Sequence, residues 1–283
     1  MADLYVSANN TDALFVPAKA ATVYAAHEQS LFLGGEMIPV VNAPNGVLQV
    51  PFLAGVSASS LAGNFGGSDA GDVGVTNPAD TKNTISADLI AARSVVRDLG
   101  NIDPSEIGRS LGNAVADKFD AAVMDALGNL TAQEAADAAG KGVMDISDIA
   151  TAVQTIRGAG ETGQLYGVIA HTEYAALMAD IGSTAFAGGD LFQGQALRSG
   201  FFGNIFGVQL FVTSKMTDAN TGVTNPMAAI FGADAMRIAM QKNVDLEIAR
   251  RAEAVGNDVV ASLHAGVGVV DANRGVMILN AAT

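Results

Sequence analysis

One helix constrains this chain more than any other feature. Asp103 reads as its N-cap, Pro104 as its first helical residue and Glu106 as its third, a charged version of the capping box. Ile107, Leu111, Val115, Phe119, Val123 and Leu127 follow at a spacing of four, and Gly128 reads as the stop. At ~1.5 Å per residue, Pro104 to Leu127 would span about 36 Å. Gly108 and Gly112 lie inside it, where each costs about 1 kcal/mol relative to Ala. Close packing by another element explains them better than helix propensity does. This is the backbone helix of the fold.

Residues 1–35 read as an extended arm with one helical patch. Pro17 suits a first helical turn, and Val16, Ala20, Val23, Tyr24, His27 and Leu31 fall near helical spacing. From Glu36 to Asn83 the character changes. MIPVV and GVLQVPF are short strand-like runs parted by the turn signal NAPN. ASSLAGNFGGSDAGDVGVTNPAD follows, dense in Gly, Ser, Asp and Asn. It has too little apolar area to fold alone and reads as a long exposed loop or hairpin tip. Residues 84–99 alternate with a period of two, as a strand with one polar face does.

Downstream of the long helix, the linker TAQEAADAAGKG leads to a second helix over 146–157, capped by Asp145, with Ile149, Val153 and Ile156 on one face. LYGVIA (165–170) has the composition of a buried strand, and 173–181 is a short helix after Thr172. STAFAGGDLFQGQALRSGFFGN reads as an ordered surface loop and FGVQLFVT (206–213) as a strand. The last third alternates AAIFG, a turn around 233–236, and strands near 244–250, 258–264, 267–270 and 275–279. The class is mixed α+β, with no repeat of fixed period.

The 283 residues carry 15 Lys+Arg against 29 Asp+Glu, a formal charge of −14, and a pI near 4.4. That balance argues against gripping nucleic acid through charge, because phosphate contacts need Lys and Arg. With no Cys there is no disulfide framework, zinc-thiolate site or cysteine nucleophile. No apolar run approaches the roughly 18–20 residues of a membrane span, and MADLYVSANN lacks the basic-then-apolar order of a secretory signal. Gly158, Gly160 and Gly163 match G-x-G-x-x-G. A helix precedes them and a strand follows, the reverse of a dinucleotide site, so they read as a helix–strand turn. Asp145 and Asp148 suit the positive end of a helix macrodipole. His27, His171 and His264 stand far apart. His171 has no Ser, Cys or carboxylate partner at a recognisable spacing, and His27 and His264 read as packed side chains. Arg93 and Arg97 share a face of 84–99, and Arg250 and Arg251 end a strand. In so acidic a protein these suit salt-bridge anchors between subunits. No catalytic, cofactor-binding or metal-binding constellation is present in the sequence.

Three segments carry a family resemblance. FGADAMRIAMQKNVDLEIARRAEAVGNDVVASLHAGVGVVDANRGVMIL (231–279) joins a strand and turn to a terminal strand pair. ISADLIAARSVVRDLGNIDPSEIGRSLGNAVADKFDAAVMDAL (85–127) is similar to the strand and spine helix of short-tailed phage capsids. GVLQVPFLAG (46–55) is similar to the start of their extended loop. Together, in this order, they resemble the major capsid proteins of tailed bacteriophages, whose fold was first described for phage Hong Kong 97.

The resemblance implies an α+β fold with an N-terminal arm (1–35) and an extended loop (36–83) lying across a neighbouring subunit. It implies a peripheral domain (84–143 and 237–265) with 104–127 as spine helix, and an axial domain (144–236 and 266–283). The implied function is a non-enzymatic shell subunit, assembling through pentamers and hexamers into an icosahedral head around double-stranded DNA, without sequence-specific contact. No cofactor is implied and no membrane. The implied partners are further copies of the chain, a separate scaffolding protein (since no charged helical leader precedes the arm), a portal protein and cement proteins. The setting is the virion, after assembly in the bacterial host cytoplasm. Arg93, Arg97, Arg250, Arg251, Phe52 and Phe65 are the candidate assembly contacts. Lys82 and Asn280 lack a context that would specify a covalent crosslink. The alternative with the same fold is an encapsulin-type nanocompartment shell.

Overall fold

The computed structural model describes residues 8–53, 80–97, 104–134, 143–181 and 204–280. Asp103, Phe65, residues 54–79 of the expected loop, most of the 131–142 linker and most of the 183–204 loop lie outside the described residues. The long helix, α2, runs Pro104–Leu127, and its period-four residues Leu111, Val115, Phe119, Val123 and Leu127 are buried. Against it packs α1 (Ala8–Gln29). A Cβ on Gly108 would stand 2.4 Å from the Ala18 carbonyl oxygen, and one on Gly112 2.4 Å from that of Thr22. The two glycines therefore serve the close approach that their poor helix propensity implied.

Two sheets flank this pair of helices. In the first, strand order is β1 (Val40–Asn42), β10 (Met236–Arg251), β11 (Gly256–Val269) and β4 (Asp88–Arg97). Val259, Ala261 and Leu263 of β11 and Val244 and Leu246 of β10 join the core that contains Phe119 and Val123. The second has six strands, in the order β5 (Thr131–Glu134), β12 (Gly275–Leu279), β9 (Pro226–Gly232), β6 (Leu165–Ala170), β8 (Val208–Thr213) and β7 (Asn204–Ile205). One of its faces, with Val168, Ala229, Phe231 and Met277, joins the α2 core. The other, with Leu165, Ile169, Ile230 and Ile278, packs with α3 (Ile146–Gly158) and α4 (Tyr174–Ile181). A separate antiparallel ribbon joins β2 (Val47–Leu53) to β3 (Asp80–Ser86), and α5 (Asp218–Thr221) is a single turn.

Several expectations are corrected. Helix α1 starts nine residues before Pro17, so the proline is interior. Its buried face is Ala18, Thr22, Ala25 and Ala26, while Tyr24 is 71% exposed and His27 is exposed. Close approach to Gly108 and Gly112 selects small residues on α1; Val23 packs at the border of the core and Tyr24 points away. The single strand expected over 84–99 is two, broken at Ala87, whose N–H donates to the Gly46 carbonyl at 2.8 Å. The strands expected at 258–264 and 267–270 are one, because Gly266 is a strand residue chosen for space: its Cβ would stand 1.9 Å from the Ser86 carbonyl oxygen. TAQE, read as linker, is β5 and pairs in parallel with β12. Gly128 follows α2 as expected, but its reason is the Thr221 carbonyl, 1.9 Å from where a Cβ would sit.

Candidate assembly surfaces

Three surfaces are left without cover by the described residues of the subunit. The first is the β2–β3 ribbon. Its register runs from Val47 opposite Ser86 to Leu53 opposite Asp80, with no third strand among the described residues. Its base is fixed: Ile85 is buried with Ala43 and Ala239, and Asn83 Nδ2 donates to the Val270 carbonyl at 2.5 Å. Further out, a two-stranded ribbon is marginal in water, and Pro51, opposite Lys82, removes a ladder donor. Phe52 lies in this outer part, opposite Thr81.

The second surface is the outer face of the four-stranded sheet. Along β4, exposure alternates. Ile90, Ala92 and Val96 pack on the core, while Leu89 (63% exposed) and Val95 (39%) face out together with Arg93 and Arg97. Arg93 is not idle there. Its Nε donates to Asp258 Oδ1 at 2.7 Å and its Nη2 to Oδ2. That guanidinium holds the Asp258 carboxyl below the usual carboxylate range, and Asp258 raises Arg93 in turn.

The third is the tip of the β10–β11 hairpin. Arg97 and Arg251 are both register partners of Gly256, one from each neighbouring strand. Arg250 sits opposite Asn257 and donates to its Oδ1 at 3.5 Å, and Arg251 approaches Glu253 at 3.9 Å. Val255, with φ +45°, projects 62% exposed. The fold thus gathers Arg97, Arg250 and Arg251 at one end and keeps Arg93 four residues down β4. Phe52 stands apart on the ribbon.

Other singled-out residues have structural places. Asp148 accepts the Asp145 N–H at 3.0 Å in a capping box, and Asp180 accepts the Ile146 N–H at 2.9 Å. Gly160, φ +91°, makes the α3–β6 turn. His171 is exposed after β6, and its N–H donates to the Thr213 carbonyl at 3.0 Å. One cluster escaped sequence reading. Buried Glu161 bonds the Gly163 N–H at 2.8 Å and Arg274 Nη1 at 3.2 Å, and Arg274 also reaches Asp234 (3.3 Å) and Asp271 (3.2 Å). These groups fasten the places where the chain crosses between the two sheets. A cavity of about 740 Å³ lies between α2 and β11, with Asp88, Lys118, Asp125 and Asn220 among its lining residues. Among the described residues no three His, Cys, Asp or Glu converge as metal ligands, and no helix is long and apolar enough to cross a membrane.

A profile of the family described as phage capsid protein matches residues 105–278, from the first turn of α2 into β12. The chain belongs to the phage capsid protein family. No curated protein sequence matches it. Among solved structures, the subunit is similar to the capsid of the cyanophage P-SCSP1u, at 17% identity over 87% of each chain and a TM-score of 0.66. It is similar to a chain of Mycobacterium phage Che8, at 17% identity over 82% of this chain and 84% of that one, TM-score 0.64. A virus-like particle from Pyrococcus furiosus matches at 13% identity, 93% and 98% coverage, TM-score 0.64. Such identities speak to fold, and the fold is that of Hong Kong 97-like capsids. As a capsid protein the chain is a structural shell subunit of the virion.

Proposed function

We propose that this capsid protein assembles through pentamers and hexamers into an icosahedral phage head enclosing double-stranded DNA. The β2–β3 ribbon carries the reading. A two-stranded element fixed at its base and without a third strand among the described residues gains order when it lies on a second copy, where backbone pairing and burial offset its entropy. On this reading 1–35 is the arm, 36–83 the extended loop, 84–143 with 237–265 the peripheral domain and 144–236 with 266–283 the axial domain. Arg97, Arg250 and Arg251 at the hairpin tip, Arg93 below them, and Phe52 and Phe65 on the loop contact neighbouring copies. With −14 per chain, long-range repulsion opposes assembly, so shells need salt screening or extensive short-range contacts. An acidic wall also keeps packaged DNA from adhering. A separate scaffolding protein, a portal and cement proteins complete the assembly in the host cytoplasm.

The test is electron microscopy of the protein expressed alone and with a scaffolding protein, at low and high salt. Closed shells or capsomer rings are expected, and a monodisperse monomer under every condition overturns the proposal. Deleting 56–77 should leave a folded, soluble subunit that forms no stable shell; if the deletion unfolds the subunit, the loop assignment fails. The similarity to the Pyrococcus furiosus particle, over 98% of that chain, favours one second reading, a nanocompartment shell. Particles purified with protein cargo in place of nucleic acid would favour it.

A further inference from the structure

Asp120 lies in the C-terminal half of α2 and is only 5% exposed. Its two oxygens meet the chain as it leaves α1. Ser30 Oγ donates to Oδ1 at 2.5 Å, and the Leu31 N–H donates to Oδ2 at 3.3 Å. Ser30 Oγ in turn accepts the N–H groups of Leu33, at 3.1 Å, and Phe32, at 3.3 Å. Phe32 and Leu33 are buried in the main core. One carboxyl group therefore organises the four residues that tie the end of α1 to the spine helix. It does so without a counter-ion among the described residues: Lys215, which faces this region from the segment after β8, is ion-paired with Asp117 at 2.9 Å.

A carboxylate removed from water without a counter-ion is sensitive to proton uptake. We propose that the Ser30–Asp120 contact is a proton-operated latch, which holds the end of α1 on α2 when Asp120 is protonated and weakens when Asp120 ionises. The inference concerns the single subunit and stands whatever the copies assemble into.

The charged groups facing Asp120 are Asp117 from its own helix and Lys215 from the segment after β8. The 30–33 segment brings a hydroxyl and an amide to it. Burial pushes the carboxyl up to about 6, against the hydrogen bonds from Ser30 and Leu31, which favour the ionised form; Asp117 raises it further and Lys215 opposes. Once the segment lifts away, Asp120 is solvated and returns to the ordinary range near 4. The docked state thus binds the proton more tightly. Its added stability is fully present below the ordinary carboxylate range and is lost as pH rises through about 6.

Amide hydrogen exchange on the full-length chain, corrected for intrinsic rates, tests this. Between pH 5 and pH 7 the protection of the Leu31, Phe32 and Leu33 amides should fall about tenfold, and Asp120→Asn should abolish that pH dependence. Two milder variants give opposite signs. Asp117→Asn should move the midpoint down, and Ser30→Ala, which removes a bond to the ionised form, should move it up. A pH dependence that survives in Asp120→Asn overturns the latch, as does a midpoint that neither milder variant moves.

Discussion

The six-stranded and four-stranded sheets draw on the same apolar residue types, yet they finish in different conditions. Every residue of β9 is buried, as is every residue of β6 except Tyr166 and none beyond it. α2 and its core lie on one side of that sheet and α3 and α4 on the other. In the four-stranded sheet the face toward α1 and α2 is closed, while the opposite face is covered at Ala239 by Ile85 and Ala43 and, among the described residues, leaves Leu89, Val95 and the β4 arginines exposed. Strands buried on both faces read as continuous apolar runs, while strands with one open face alternate. Stability of the subunit therefore resides in the six-stranded sheet and the helix pair, and on the proposed reading assembly capacity resides in the four-stranded sheet and the ribbon.

The largest effect expected from this division is at Phe119. Phe119→Asp puts an unpaired charge where α2 meets the main core, and no cooperative unfolding transition should survive in a circular-dichroism melt. Phe231→Ala, in β9 beside Tyr166 at a ring-centroid distance of 6.4 Å, empties a closed site and should cost about 3–5 kcal/mol in urea titration. If a truncation on the open face cost as much, the division between the sheets would be wrong.

The helix pair comes next. Gly112→Leu forces a side chain into the Thr22 carbonyl, so the helices must separate. Overpacking of this kind costs about 1–3 kcal/mol, and limited proteolysis should show α1 cut before the rest of the chain. An unchanged digest would mean that α1 tolerates separation and that Gly112 is not there for approach.

The same contrast explains what was legible in the sequence. α2 could be read at once because large apolar residues at a spacing of four face a core. α1 was read with the wrong face because its contact is made by Ala18, Thr22, Ala25 and Ala26, and periodicity analysis weights size. β4 and β6 were readable from alternation and from a short apolar run. The break at Ala87 and the continuity of β11 through Gly266 were not, since both depend on where Ser86 crosses, a tertiary fact. The arginines could be nominated from charge alone. That Arg97 and Arg251 flank Gly256 while Arg93 is held by Asp258 follows from strand register, which no local pattern encodes. Glu161 and Arg274, 113 residues apart, left no sequence signal either.

Smaller effects on the subunit, and larger ones on assembly, are expected from the open face. Leu89→Asp combined with Val95→Asp should change subunit stability by no more than about 1 kcal/mol, as surface substitutions do, yet should abolish shells in the microscope. Shells of normal yield from that variant would show that this face points to solvent in the assembled state.

The smallest expected effect is at Arg93. Its pair with Asp258 is exposed to solvent, and such pairs add little to stability. Arg93→Ala should melt with the wild type near neutral pH, within the resolution of the experiment. Because Asp258 is held below the ordinary carboxylate range, the small contribution of the pair is present above that range and is lost as pH falls through the lowered value. Any difference between the two proteins should therefore vanish in acid and not in base. Assembly provides the sharper comparison. Arg93 is committed within its own subunit, so Arg93→Ala should reduce shell yield less than Arg97→Ala or Arg251→Ala at the hairpin tip. Equal losses from all three would mean that the outer face and the tip act as one contact, and that the Arg93–Asp258 pair opens when copies meet.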